Sequence, residues 1–217
     1  MADKGGKFER QECRFLSLWW TEKRMDDIFW RNRVKITSKT PHAEKQMGDI
    51  TCTHSIGLPF IETFNLELKS GYARVTVNRA KKMLAQRNAE RARKGKPPAL
   101  TAVSNSQWDL LDVIDSDKID DNLAILKFWK QCDEDARLSQ RIPLLIFKRD
   151  FHDPVVCIEY PTFQKAGIVD KLGDIRSRRI ELIDNSQHLH LDLYRHDNFF
   201  NWLKPETIKF VHSRKEK

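Results

Sequence analysis

Gly48-Asp49-Ile50 and Glu67-Leu68-Lys69, separated by TCTHSIGLPFIETFNL (residues 51–66), decide how this chain is read. The intervening stretch reads as a strand, a turn at Gly57-Leu58-Pro59 and a second strand. Side chains alternate along a strand, so Phe60, Glu62, Phe64, Leu66 and Leu68 are expected on one face. Ile61, Thr63, Asn65, Glu67 and Lys69 are expected on the other. A carboxylate and an ammonium two residues apart on one face, with an aspartate at the start of the preceding strand, can converge on a metal ion and a phosphate. The Glu-x-Lys triplet alone is equally an exposed ion pair, so the surroundings decide.

Those surroundings are basic and globular. The 217 residues are 40% hydrophobic and 32% charged, with a formal net charge of +8, and a sequence pI of about 9.3. This is enough chain for one domain with a real core, and the charge favours a polyanionic partner without identifying it. The four cysteines (Cys13, Cys52, Cys132, Cys157) form no CxxC pair, which argues against a disulfide frame or a structural zinc site and fits a reducing compartment. The seven histidines show no HxxxH or HExxH spacing, so a zinc hydrolase is not expected. No signal-type or membrane-length apolar run is present; the expectation is a soluble, cytoplasmic protein with no membrane partner.

Residues 1–7 read as a flexible lead-in. Phe8, Phe15, Leu16, Leu18, Trp19 and Trp20 then mark an amphipathic helix, and Met25, Ile28, Phe29 and Trp30 a second, short one. Trp19, Trp20 and Trp30 are read as core residues, base stacking being the other use open to one of them. The polar, basic residues 31–47 form a loop leading to Gly48. Residues 71–98 contain a run dense in arginine and lysine, helix-capable to Lys94 and broken by Gly95 and Pro97-Pro98. This run is either a solvated insertion or an arm for a phosphate backbone. The aspartates of residues 106–121 are read as a solvated face. A helix follows, with Leu123, Leu126, Trp129 and Ala136 at core spacing, then a buried strand at Ile142–Lys148 and another at Val155–Tyr160. Ile180–Ile183 and Leu189–Leu193 are strand candidates, Phe199–Leu203 a small helix, and the last six residues a charged tail.

Phosphodiester hydrolysis needs a positive centre on the phosphate, an activated water and stabilisation of developing charge. Mg²⁺ supplies much of this when a protein offers a few carboxylates and leaves positions open. Asp49 and Glu67 are the natural ligands, with the Leu68 main-chain carbonyl between the functional side chains, and Lys69 is placed to orient or activate the water.

The order helix, strand, Asp, then Glu-x-Lys, helix, strand resembles the PD-(D/E)xK nuclease superfamily, most closely its Holliday-junction-resolvase-like members and small phage and plasmid nucleases. The resemblance covers roughly residues 5–160. In that group a glutamate on the first helix joins the site, and Glu9 within Gly6-Lys7-Phe8-Glu9-Arg10 takes its position; a glutamine on the helix after the motif corresponds to Gln131. Pro143–Lys148 looks like the strand that follows. Glycine stands where the family has proline before the aspartate, the Asp49–Glu67 span is longer than in compact members, and the basic segment is an insertion.

The resemblance implies an α/β, restriction-endonuclease-like core with a mixed central sheet flanked by helices, a basic helical insertion and a C-terminal extension. The nuclease core would span 8–160, including the insertion at 71–98, with 161–217 packed on it as the extension. It implies a Mg²⁺-dependent endodeoxyribonuclease, with Mn²⁺ substituting, using Glu9, Asp49, Glu67, Lys69 and Gln131. It would act on branched DNA as a homodimer in a bacterial or phage-infected cell. Expected phosphate contacts are Arg31, Arg33 and Lys35 ahead of Asp49, and Arg79, Lys81, Lys82, Arg87, Arg91, Arg93 and Lys94 in the basic segment. The alternatives are a sequence-specific restriction-type enzyme and a non-catalytic nucleic-acid-binding module; retention of both acids and the lysine favours the enzyme.

Overall fold

The structure, a computed structural model, describes residues 4–32, 48–70, 85–86, 88–97, 124–148, 152–169, 175, 177–184 and 187–215. The chain divides into two compact units, Met1–Gly71 with Phe128–Lys217, and Tyr72–Lys127.

The larger unit begins with helix α1 (Lys4–Trp20). Phe8, Glu12, Leu16 and Trp20 recur at four-residue spacing and are all buried, which sets one face of α1 against the sheet. The helix stops without a glycine: Glu22 and Lys23 adopt positive φ, and the Lys23 amide donates to the Leu18 carbonyl at 2.6 Å. The second short helix expected around Ile28–Trp30 is instead strand β1 (Phe29–Arg31). Its first amide donates to the buried Ser17 hydroxyl at 2.9 Å, and that hydroxyl in turn donates to the Cys13 carbonyl. One small polar side chain thereby anchors the strand to the helix.

Strand β2 (Ile50–Cys52) pairs antiparallel with β1, Trp30 opposite Thr51 and Arg31 opposite Ile50. The expected second strand over Phe60–Lys69 is only half strand. Residues Leu58–Thr63 form helix α2, with Pro59 in its first turn, and β3 runs Phe64–Ser70. Proline near the first helical position costs no intrahelical hydrogen bond and presets φ, so Pro59 starts a helix where a turn was expected. Glu62 is accordingly an exposed helical residue. Phe64, Leu66 and Leu68 face the core that also contains Leu16 and Trp20 of α1.

The remaining elements are α3 (Ala124–Ser139), β4 (Ile142–Lys148), β5 (Val155–Glu159), α4 (Tyr160–Lys165), β6 (Arg178–Asp184), β7 (Gln187–Arg195), α5 (His196–Trp202) and α6 (Pro205–Lys215). The central sheet has five strands in the order β3-β4-β5-β7-β6. β3 and β4 are parallel and the other pairs antiparallel. It is the mixed sheet flanked by helices that the sequence implies. Every residue of β4 but the last is buried, as its unbroken apolar run requires. Residues 212–215 of the charged tail read at the end are the closing part of α6, whose Ile208 and Val211 are core residues. Aromatic rings of α1, β1, α2, β3, α4 and α5 (Trp19, Trp20, Phe29, Phe60, Phe64, Phe163, Phe199, Phe200) form a continuous chain of ring contacts between Trp20 and Phe199.

In the smaller unit residues 88–93 are helical. Gly95 at φ +64 ends the helix, where the sequence places the break. Arg33, Lys35, Arg79, Lys81, Lys82, Arg87 and the acidic segment 106–121 lie outside the described residues.

Candidate active site

The site is built on the free edge of β3. Among the described residues only β4 pairs with β3 as a strand, on one side. On the other side the Asp49 amide donates to the Leu66 carbonyl at 2.8 Å, and the Leu68 amide donates to Asp49 Oδ2 at 2.6 Å. Within a strand the N–H and C=O of one residue point to the same side. The Leu68 carbonyl therefore points to the same edge as the Asp49 carboxylate. Gly48 makes this docking possible. Its φ is +84, and a Cβ there would sit 2.9 Å from the Leu66 carbonyl oxygen and 3.1 Å from Asn65 Oδ1. Asn32 completes the brace, its amide donating to the Asp49 carbonyl at 2.8 Å and its side chain to the Gly48 carbonyl at 3.1 Å.

Opposite the core face of β3, Asn65, Glu67 and Lys69 meet α3. Asn65 is fully buried and donates to the Cys132 carbonyl at 3.3 Å, and the Cys132 thiol donates to the Asn65 carbonyl at 3.8 Å. This fixes the register between helix and strand, so that Gln131 reaches the motif. Gln131 Nε2 donates to Glu67 Oε1 at 2.7 Å, Lys69 Nζ donates to Gln131 Oε1 at 3.1 Å, and Lys69 pairs directly with Glu67. The three side chains close a triangle that leaves little rotamer freedom to any of them. Lys69 also lies 5.8 Å from the centroid of the Phe128 ring.

The electrostatics are those of carboxylates crowded out of water. Glu67 is 3% exposed. Burial, together with the nearby Asp49 charge, pushes its carboxyl up to about 7, against the opposing pull of Lys69. Asp49 is likewise raised by burial, partly offset by the Leu68 hydrogen bond and by Lys69, with Glu9 adding negative potential. Glu9 is paired with Arg31. Arg31, expected to contact phosphate, is thus an ion-pair partner of the acid expected in the site. The structure brings Asp49, Glu67, Leu68, Lys69 and Gln131 together, with Glu9 close enough for its charge to act on Asp49. Arg91 donates to the Pro97 carbonyl at 2.6 Å, Lys94 pairs with Glu90, and Arg93 is exposed.

Sequence reasoning missed Asp135. It lies one helical turn beyond Gln131, and its charge raises both Asp49 and Glu67. Four-residue spacing from a glutamine already assigned to the site was the signal that would have found it. Trp30, read as core, is 44% exposed, because its neighbours Phe29 and Arg31 take the face toward α1.

A hard divalent cation fits this donor set. Two carboxylates held apart from water, repelling one another and sharing one lysine, lack positive charge, and a backbone carbonyl points to the same edge. Among the described residues no group of three or more His, Cys, Asp or Glu side chains is placed to hold a metal. One or two carboxylates with the remaining positions left to water and phosphate is how Mg²⁺ is ordinarily bound, whereas a closed side-chain cage is not.

Compared with known protein families, the chain matches the model of a family described as "Phage putative PDDEXK endonuclease" over residues 116–210, less than half its length. The matched segment contains Gln131 and Asp135 and the sheet from β4 onward, and leaves Asp49, Glu67 and Lys69 outside it. The match supports assignment to the PD-(D/E)xK nuclease superfamily. No curated protein and no solved structure matches the chain. Among the described residues no helix is long and apolar enough to cross a membrane.

Proposed function

We propose, on the premise that this chain is a nuclease of the PD-(D/E)xK superfamily, that it is a divalent-metal-dependent endodeoxyribonuclease whose centre is Asp49, Glu67 and Lys69. The observation that carries the reading is the convergence of an aspartate from one element and Glu-x-Lys from another on the free edge of β3, with Gln131 holding the glutamate and the lysine in place.

Asp49, Glu67 and the Leu68 carbonyl would hold Mg²⁺, with Mn²⁺ able to replace it, and the ion supplies positive charge at the scissile phosphate and acidifies a water. Glu67 must be ionised to act as a ligand, so its raised pKa makes the site assemble as the pH rises through about 7. Lys69, beside Glu67, orients the attacking water and offsets charge as the phosphorus takes on a fifth oxygen. Gln131 fixes the two motif side chains. Glu9 and Asp135 add negative potential that favours cation binding, and the pairing of Arg31 with Glu9 balances part of it.

Branched DNA as substrate, and a homodimer presenting two such sites to opposed strands, accord with the junction-resolving members that the sequence resembles. The basic segment, with Arg91, Arg93 and Lys94, is proposed to contact the phosphate backbone. The reading is tested by incubating the protein with four-way junction, flap, linear duplex and single-stranded DNA in Mg²⁺ and in EDTA. Metal-dependent cleavage with a preference for branched forms is expected. Failure to cut any of the four would remove the nuclease assignment, and equal cutting of linear duplex would remove the structure-specific one.

A further inference from the structure

We propose that Trp30 is a stacking platform for an unpaired nucleobase beside the scissile phosphate, which rests on the nucleic-acid reading above and narrows it to substrates containing single-stranded nucleotides. Trp30 is the middle residue of β1. Phe29 before it packs on Trp20 of α1, ring to ring at 6.2 Å, and Arg31 after it pairs with Glu9 of α1. Alternation therefore turns Trp30 to the opposite side of the layer.

The same side carries the motif. Phe64, Leu66 and Leu68 of β3 enter the core shared with α1, while Glu67 and Lys69 project away from it. The β1–β2 ribbon is joined to β3 through Asp49, by the hydrogen bonds to Leu66 and Leu68. Trp30 stands opposite Thr51, two residues from Asp49. It thus stands on the face turned away from α1, in a ladder that the Asn32 amide's hydrogen bond to the Asp49 carbonyl extends to the residue that would hold the cation.

A single exposed apolar side chain is ordinary. What distinguishes Trp30 is its contrast with the other described tryptophans. Trp19 and Trp20 donate their indole N–H groups to the Phe200 and Ile56 carbonyls, Trp129 is 2% exposed, and Trp202 stacks on Tyr194. The Trp30 indole has neither a ring partner nor a hydrogen bond among the described residues and the residue is 44% exposed, on a strand anchored through the Phe29 amide to buried Ser17. A rigidly held indole face in an electropositive protein suits a base ring, which stacks regardless of its identity. The occupant must be unpaired, because a paired base offers no free face.

The experiment compares wild type, Trp30→Ala, Trp30→Thr and Trp30→Phe, each checked by thermal melt, for binding in EDTA to two DNA probes. One is a flap duplex with 2-aminopurine at its first unpaired position; the other is a fully paired duplex of equal length. Stacking on an aromatic side chain contributes about 1–3 kcal/mol per base, so Trp30→Ala and Trp30→Thr should bind the flap roughly 5- to 150-fold more weakly. Both should lose the quenching of 2-aminopurine while binding the paired duplex like wild type, and Trp30→Phe should keep most of the affinity. Threonine preserves strand propensity should alanine fail to fold. Flap affinity and quenching unchanged in both truncations, or equal losses on the two probes, would overturn the proposal. Because binding is read without metal, wild-type quenching that depends on Trp30 upholds the platform even where no DNA is cut. Cleavage indifferent to Trp30 and to unpaired bases would overturn the platform and leave the nuclease reading standing.

Discussion

Glu67→Gln should make the metal-free protein more stable while abolishing the proposed activity. Glutamine keeps the shape of the side chain and resembles the protonated acid, so the substitution removes a charge that the site holds at a cost. Burial and the Asp49 charge raise Glu67 from the usual 4.5 to about 7 even with Lys69 beside it. At about 1.4 kcal/mol for each tenfold change in ionisation constant, that rise corresponds to about 3 kcal/mol, and loss of the pairing with Lys69 trims the expected gain to about 1–3 kcal/mol. The sign follows from proton counting. Between pH 4.5 and 7 the folded protein binds more protons at this group than the unfolded chain does, so wild-type stability falls as the pH rises through that window. The advantage of the glutamine variant should therefore be small near pH 4.5 and full above pH 7. Urea denaturation in EDTA at pH 5 and pH 8 measures it. Added Mg²⁺ should stabilise the wild type and leave the variant unmoved. A variant less stable than wild type at pH 8 in EDTA would refute the claim that Glu67 is held ionised against its surroundings.

Lys69→Met should leave Mg²⁺-induced stabilisation in place while slowing DNA cleavage by about 100-fold or more, since it removes an orienting charge and no ligand; single-turnover kinetics beside a metal titration separates the two. Gly48→Ala must fit a Cβ 2.9 Å from the Leu66 carbonyl at φ +84, and should cost about 1–3 kcal/mol in denaturation and lower cleavage by displacing Asp49. His196 lies buried, which disfavours its charge, yet the Glu12 carboxylate 2.6 Å away holds the imidazole above its ordinary range. Its contribution to stability is present below pH 6.5 and lost as the pH rises through the folded value; Glu12→Gln, which leaves the Asp197 carboxylate 3.2 Å from Nδ1, should weaken that dependence and destabilise the protein by about 3 kcal/mol at pH 6, measured by denaturation across the pH series.

The parts of the structure legible in the sequence are those governed by local rules. The apolar run of β4 and the 126-129-136 spacing on α3 fall where periodicity puts them, and so does the alternation from Phe64 to Lys69. β1 was not legible, because three residues carry no period and Ile28-Phe29-Trp30 reads as well on a helix. α2 was hidden for a related reason. From Phe60 to Thr63 the strand and helix patterns cannot be told apart, and Pro59 was the overlooked helix-start signal. The Glu12–His196 contact, like the anchoring of β1 by Ser17, joins residues whose types do not announce a partner. The proposed centre was legible as a residue pattern, and Glu9 and Gln131 through family resemblance. Asp135 and the exposure of Trp30 depended on which way a helix and a three-residue strand are turned.

Asp49, Glu67 and Lys69 are proposed to form a metal-dependent site that hydrolyses DNA. The most direct test is the single-turnover cleavage rate of an end-labelled branched DNA in Mg²⁺ and in EDTA, for wild type, Asp49→Asn, Glu67→Gln and Lys69→Met. Wild type is expected to cleave in Mg²⁺ alone, and each variant to lose at least about 100-fold in rate, with every variant folded. Cleavage undiminished by EDTA, or retained at the wild-type rate in Glu67→Gln, would contradict it.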